Sequence, residues 1–111
     1  MIHQLRVYEL FEHNKDAFHQ RFRDHATRIM RRHGFKFVAM WDSTTNRRRE
    51  FVCLIEWPDE ATKDAAWEVF RSDPEWIAIR EKTRAAHGPL FGDIDDRILR
   101  LSEYSPKFGG S

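Results

Sequence analysis

Arg6 and Tyr8 stand two residues apart in the segment IHQLRVYEL (2–10), the spacing that puts two side chains on one face of an extended strand. A guanidinium beside a phenol can hold a small anion. The fork of N–H groups matches a carboxylate or enolate with two parallel hydrogen bonds, and the hydroxyl adds a polar tip. Other reactive residue types are sparse. There are six histidines, but no two stand at i, i+4 with an acid nearby, as a helical zinc motif requires, so no metal site is expected. His25 and His33 fall about two turns apart on one predicted helix and read as structural or capping residues. The single cysteine, Cys53, sits mid-strand among apolar neighbours with no histidine close in sequence to activate it; it reads as a small hydrophobe. There is no glycine-rich phosphate loop and no G-x-S-x-G.

The elements that must position Arg6 and Tyr8 are marked clearly. Residues 2–10 alternate at period two, a strand signal. Asn14 is a candidate N-cap for a long helix whose stripe runs through Phe18, Phe22, Ile29 and His33, with Ala26 and Met30 beside it; Gly34 is the natural residue after its end. Residues 35–42 and 50–57 form a hairpin around Ser43-Thr44-Thr45-Asn46. Pro58-Asp59 ends the third strand and opens a helix carrying Ala61, Ala65, Ala66, Val69 and Phe70. Asp73 and Pro74 cap and start the next helix, which runs to about Ala86 before Gly88-Pro89. Residues 96–104 are predicted as the fourth strand.

The order β-α-β-β-α-β is that of an α+β, ferredoxin-like fold with a four-stranded antiparallel sheet. Residues 1–105 are expected to form one domain, with 106–111 as a flexible tail. The chain of 111 residues is 41% hydrophobic and carries nine Phe, four Trp and two Tyr, more rings than one small core needs. Nineteen basic against 18 acidic residues leave a net charge of +1, which argues against nucleic acid as partner. No apolar run is long enough for a membrane span, no signal-peptide pattern opens the chain, and the lone cysteine suits a reducing, cytoplasmic setting.

Alternation predicts which residues share a face. Leu5, Val7, Leu99 and Leu101 are placed beneath the helices. Gln4, Arg6, Tyr8, Arg100, Ser102 and Tyr104 are placed on the opposite face. Strand two has Phe35, Phe37, Ala39 and Trp41 on one face with Val38 and Met40 on the other; strand three has Phe51, Cys53, Ile55 and Trp57 against Val52 and Leu54. A sheet with one wet face alternates cleanly. These strands want burial on both faces, so the expected partner is a second copy, giving a homodimer. The competing cover is the C-terminal tail or the last helix folding across that face.

Leu5-Arg6-Val7-Tyr8, His33-Gly34-Phe35-Lys36-Phe37-Val38, Met40-Trp41 and Asp73-Pro74-Glu75-Trp76, in this order and spacing, resemble the NIPSNAP family of the dimeric α/β-barrel superfamily. The resemblance spans most of the chain. It implies a dimer whose two sheets form a barrel, with ligand pockets within the barrel or between sheet and helices. Family members often carry His and Trp on the third strand near the positions of Cys53 and Ile55, so any chemistry resting on that His does not carry over. Some dimeric α/β-barrel proteins bind haem through a helix histidine; His87 is the residue to compare, but the resemblance does not extend that role to it, and no cofactor is expected.

The candidate site is a pocket for a small organic molecule, aromatic or acidic: Arg6 for the anionic group, Tyr8 for its polar tip, Phe37, Trp41 and Trp57 as walls, and Arg100 and Tyr104 on the same face. Cofactor-free isomerisation, cyclisation or oxygenation of an activated carbon acid is the chemistry such a pocket suits, with the base unassigned. Alternatively, Arg6 pairs with Glu56, Glu103 or a partner's acid. A non-catalytic dimeric interaction or stress-response module is a second reading. RNA binding is a third: the RNA-recognition motif shares the element order, but in REFVCLIEW (49–57) the motif's glycine is absent and Cys53 stands where its middle aromatic belongs.

Overall fold

Buried and half-buried positions alternate without a break along β1 (Ile2–Leu10), and the sheet is built outward from this strand. It pairs antiparallel with β3 (Arg49–Trp57) on one side and β4 (Phe91–Leu99) on the other; β2 (Lys36–Thr44) pairs with β3, giving the order β2-β3-β1-β4. The structure is a computed structural model, and it describes residues 1–108. Of the predicted tail, 106–111, residues 106–108 are described, with the Phe108 ring edge-on 5.0 Å from His3, and 109–111 lie outside the described residues.

The helices pack on one face. α1 (Lys15–Arg21) continues through a π-helical turn (Phe22–Ala26) into α2 (Thr27–Arg32), and this rod buries Phe18, Phe22, Ala26, Ile29 and Met30 against the sheet. It closes on a left-handed Gly34 (φ 92°): Phe35 N–H reaches back to the Met30 carbonyl at 3.1 Å, Gly34 N–H to Arg31 at 3.1 Å, and Phe35 folds into the core. Asn14 precedes the helix but does not cap it. Its amide instead donates to the carbonyls of His87 (2.9 Å) and Pro89 (2.7 Å), tying the β1–α1 turn to the start of β4.

α3 (Glu60–Ser72) is capped by Asp59, whose carboxylate accepts from Thr62 N–H at 2.7 Å. α4 (Pro74–His87) is capped by Asp73, which accepts from Glu75 N–H at 2.8 Å. The buried side of α3 is Ala66, Trp67 and Phe70; Val69, Ala61 and Ala65 face solvent, because the indole of Trp67 takes the place against the sheet that the alanine spacing suggested for smaller residues.

Three sequence expectations are corrected. First, the faces of β1 are reversed. Ile2, Gln4, Arg6, Tyr8 and Leu10 lie under the helices, and Leu5 and Val7 are on the open face. Alternation fixes the period of a strand but not its phase, and here the Tyr8 ring, packed on Phe18 and Phe51 at 5.5 and 6.0 Å, outweighs two aliphatics. Second, β4 begins at Phe91 rather than 96, so Arg100, Leu101, Ser102 and Tyr104 lie past the sheet. The chain turns at Gly88 (φ 71°) and pairs at once, Phe91 opposite Leu10; the acidic, glycine-containing start of this edge strand looks like a loop in sequence. Third, a bulge at Val38 changes the phase of β2. Phe37 and Met40 pack on the core, whereas Ala39 and Trp41 pair with Leu54 and Val52 on the open face. The open face therefore carries Leu5, Val7, Ala39, Trp41, Val52 and Leu54. The predicted aromatics of β3, Phe51 and Trp57, are beneath the helices, so the stacking platform needed for the RNA reading is not on that face.

Gln4, 1% exposed, accepts from the indoles of Trp57 (3.0 Å) and Trp67 (2.8 Å). Gln4→Leu will strand both N–H groups in the core and cost about 2–4 kcal/mol in urea unfolding. Buried Asp73 also accepts from His33 and Arg32, each at 2.7 Å, and these contacts, His33 first, hold its carboxyl well below the usual range. The depressed acid stabilises the fold above the ordinary carboxylate pKa, and this contribution is lost as pH falls through the folded value. Asp73→Asn will flatten the acid limb of the stability–pH curve while lowering stability at pH 7.

Candidate functional site

Arg6 lies in the middle of β1, 9% exposed, on the core side of the sheet. Its Nε donates to the Tyr8 hydroxyl at 2.8 Å and its Nη1 to the Asp96 carboxylate at 2.6 Å. The register places Asp96 directly across from Arg6 on β4. Gln4 completes the group: its amide nitrogen donates to both Asp96 oxygens at 3.0 Å. The guanidinium also lies 4.3 Å from the centroid of the Trp67 ring and 5.0 Å from that of Tyr8. Neither Glu56 nor Glu103 meets Arg6. Glu56 is on the open face with His3 and Lys36, and Glu103 lies beyond β4.

Burial works against the charge on Arg6, but Tyr8 and Asp96 together overcome it and hold the guanidinium above its ordinary value. Burial pushes Tyr8 up to about 12 despite the pull of Arg6. Tyr8 is thus a phenol at neutral pH, a hydrogen-bond donor and not a base. Cys53, across from Arg6 on β3, is likewise driven up to about 12 by burial, so it stays a thiol.

Above Arg6 and Tyr8, between the sheet and the helices, is a cavity of about 380 Å³. Phe18, Phe22, Met30, Trp67, Phe70 and Trp76 form its apolar walls, and the Leu90–Phe91 entry to β4 closes one end. Four further arginines line it: Arg21 from α1, Arg71 from α3, and Arg80 and Arg84 from α4. Arg21 is 9% exposed and lies 5.1 Å from the centroid of the Trp76 ring. Burial, and then its neighbour Arg80, lowers it to about 10. The lining contains no Asp, Glu or His. Among the described residues no group of three metal-ligating side chains comes together, and no helix is long and apolar enough to cross a membrane.

The predicted site residues are partly dispersed. Arg6 and Tyr8 share the cavity floor, on the helix side of the sheet and not the partner side. Phe37 is a half-buried neighbour of Phe22 at 6.1 Å but does not line the cavity. Trp57 is behind Gln4, fully buried. Trp41 is on the opposite face because of the β2 bulge. Arg100 pairs with Glu60 at 2.8 Å on the surface, and Tyr104 is 93% exposed. Sequence reasoning missed Arg21, Trp67, Trp76 and Asp96. Arg21 follows Phe18 by three residues and precedes Phe22 by one, so the flank of the apolar stripe signalled it; Asp96 shares the parity of Ile98, which packs on the core.

Known structures with this architecture are numerous, though distant in sequence. A NIPSNAP-like domain protein from Burkholderia xenovorans superposes with a TM-score of 0.79 at 20% identity, covering 97% of this chain and 90% of that one. A NIPSNAP family protein from Agrobacterium tumefaciens gives 0.80 at 13% identity, over 95% and 96% of the two chains. The cofactor-independent oxygenase SnoaB from Streptomyces nogalater gives 0.59 at 14% identity, over 96% and 97%. At these identities the likeness speaks for the ferredoxin-like α+β fold alone. No curated protein sequence matches the chain. The NIPSNAP family profile, however, matches residues 3–106, nearly the whole of the described fold, and the chain therefore belongs to the NIPSNAP family.

Proposed function

We propose that this protein binds a small organic molecule, aromatic or acidic, in the cavity between its helices and its sheet. One observation carries the reading: an apolar, ring-walled space of about 380 Å³ ends on Tyr8, whose hydroxyl accepts from Arg6 and has no acceptor for its own proton among the described residues. Rings of the ligand would lie against Trp67, Trp76 and Phe22. A carbonyl or carboxylate oxygen would take the Tyr8 proton as a hydrogen bond. Asp96 already balances Arg6, so Arg6 serves to orient and polarise the phenol.

The same polarised phenol suits an enolate oxygen, which is what cofactor-free isomerisation, cyclisation or oxygenation generates. Such a step also needs a base. With no carboxylate or imidazole in the lining and Tyr8 held protonated, the base would have to belong to the substrate. This favours a binding protein over one that turns its ligand over.

The open face of the sheet carries an uncovered apolar patch. Trp41 is 49% exposed there and Leu99 38%, beside Leu5, Val7, Val52 and Leu54. We propose that a second copy covers this face, leaving the cavity on the far side of each sheet.

Titration with benzoate and phenylacetate is expected to quench tryptophan fluorescence and to raise the unfolding midpoint, since a ligand of the folded state adds its binding energy to stability. Tyr8→Phe will weaken these ligands by roughly 3- to 30-fold, the worth of about one hydrogen bond; unchanged affinity would remove Tyr8 from the site. Light scattering should return about twice 13.4 kDa for the native chain and a single mass for Trp41→Glu. A native monomer would sink the dimer.

A further inference from the structure

The 19 basic and 18 acidic residues of the chain are nearly balanced, but they are not evenly distributed. On the surface, Arg23, Arg28, Arg32, Arg48, Arg97 and Arg100 each meet a carboxylate. Among the described residues, Arg6 is the one arginine of the cavity lining that is so paired, with Asp96. Arg21, Arg71, Arg80 and Arg84 also line the cavity, and none of them has a carboxylate partner among the described residues; Glu81, between Arg80 and Arg84 on α4, neither lines the cavity nor pairs with them.

Arg21 is the most telling of these. Nine-tenths of it is buried, its contact is with the face of Trp76, and its close charged neighbour is another cation, Arg80. A buried guanidinium whose charge no anion answers destabilises the fold, an effect offset in part here by the face of Trp76. The arrangement makes sense once a ligand supplies the missing negative charge. Two adjacent guanidinium groups are matched by two negative charges or by one dianionic group. The apolar walls beneath them are matched by a flat hydrocarbon body.

Taking the cavity as the ligand site, we infer that it selects a small molecule with a doubly charged anionic head on an apolar, planar body, the head held by Arg21 from inside and by Arg80 and Arg84 from the rim. The body lies along Trp67 and Trp76, and the head points to the mouth. Tyr8 is left to a polar group at the inner end.

The test is calorimetric titration of the full chain at pH 8 and low salt with phenyl phosphate, benzoate, benzamide and inorganic phosphate, alongside thermal unfolding. Phenyl phosphate is expected to bind at least about tenfold more tightly than benzoate, with benzamide and inorganic phosphate weaker still. Arg21→Met should lose about tenfold for phenyl phosphate, leave benzamide unchanged, and unfold at the same or a higher temperature than the parent, because it removes a buried unpaired charge. Arg80→Gln, an exposed position, should lose several-fold for phenyl phosphate alone. If benzamide binds as well as phenyl phosphate, the cavity stands as a site and the charge selectivity is overturned. If inorganic phosphate binds as well as phenyl phosphate, the coupling of head to body is overturned. If Arg21→Met unfolds earlier and loses every ligand while Arg80→Gln loses none, Arg21 is a structural brace and the inference fails. If no compound binds at all, both the inference and the ligand site beneath it fail.

Discussion

A guanidinium on the core side of a central strand has to be satisfied where it lies, and the positions of three other elements follow from how this is done. Arg6 is held by Tyr8 along its own strand and by Asp96 across the β1–β4 ladder. Gln4 bridges from Asp96 to the indoles of Trp57 on β3 and Trp67 on α3. A one-residue slip of β4 would turn Asp96 to the open face and leave the charge of Arg6 buried alone. A shift of α3 along the sheet would pull the Trp67 N–H from Gln4. The polar network thus acts as a register pin inside an otherwise aromatic core, and the cavity is the space left above it.

Much of the architecture could be read from residues whose local chemistry admits few alternatives. Gly34 and Gly88 mark helix ends because the chain there takes a positive φ. Asp59 and Asp73 mark helix starts because their carboxylates accept the first amide hydrogens. What was not legible depended on contacts between distant segments. The phase of β1 is set by rings on α1 and by Gln4, Asp96 and the tryptophans satisfying one another; taken alone, the strand suggests that Leu5 and Val7 are inside. The bulge at Val38 leaves no composition signal, and it alone separates Trp41 from Phe37. β4 starts with Phe91-Gly92-Asp93-Ile94-Asp95-Asp96, which reads as a loop until Arg6 is known to need an acid at that register. The site was half legible for the same reason. Arg6 and Tyr8 are local in sequence, while Arg21, Trp67 and Trp76 reach the cavity only through helix packing.

The two faces of the sheet have different characters. One is aromatic and polar, holds buried cations and encloses a space. The other is aliphatic around Trp41, with the polar residues His3, Lys36 and Glu56 at one end. Function on the helix side and self-association on the open side would then be physically separable, since no cavity residue lies on the open face. A π-helical turn, which adds a residue to the helical repeat, falls at Phe22–Ala26 beside Arg21, and such turns often accompany functional sites. Here it lies in the wall of the cavity, with Phe22 and Ala26 both in the lining.

In the proposed binding mode a ligand enters above Tyr8 and between the tryptophans of α3 and α4. The most direct measurement is a heteronuclear NMR titration with phenyl phosphate, following the indole N–H signals of all four tryptophans and the arginine Nε–H signals. Movement of Trp67, Trp76, Arg6 and Arg21, with Trp41 still, is the predicted result. Shifts centred on Trp41, or none at any indole, would contradict it.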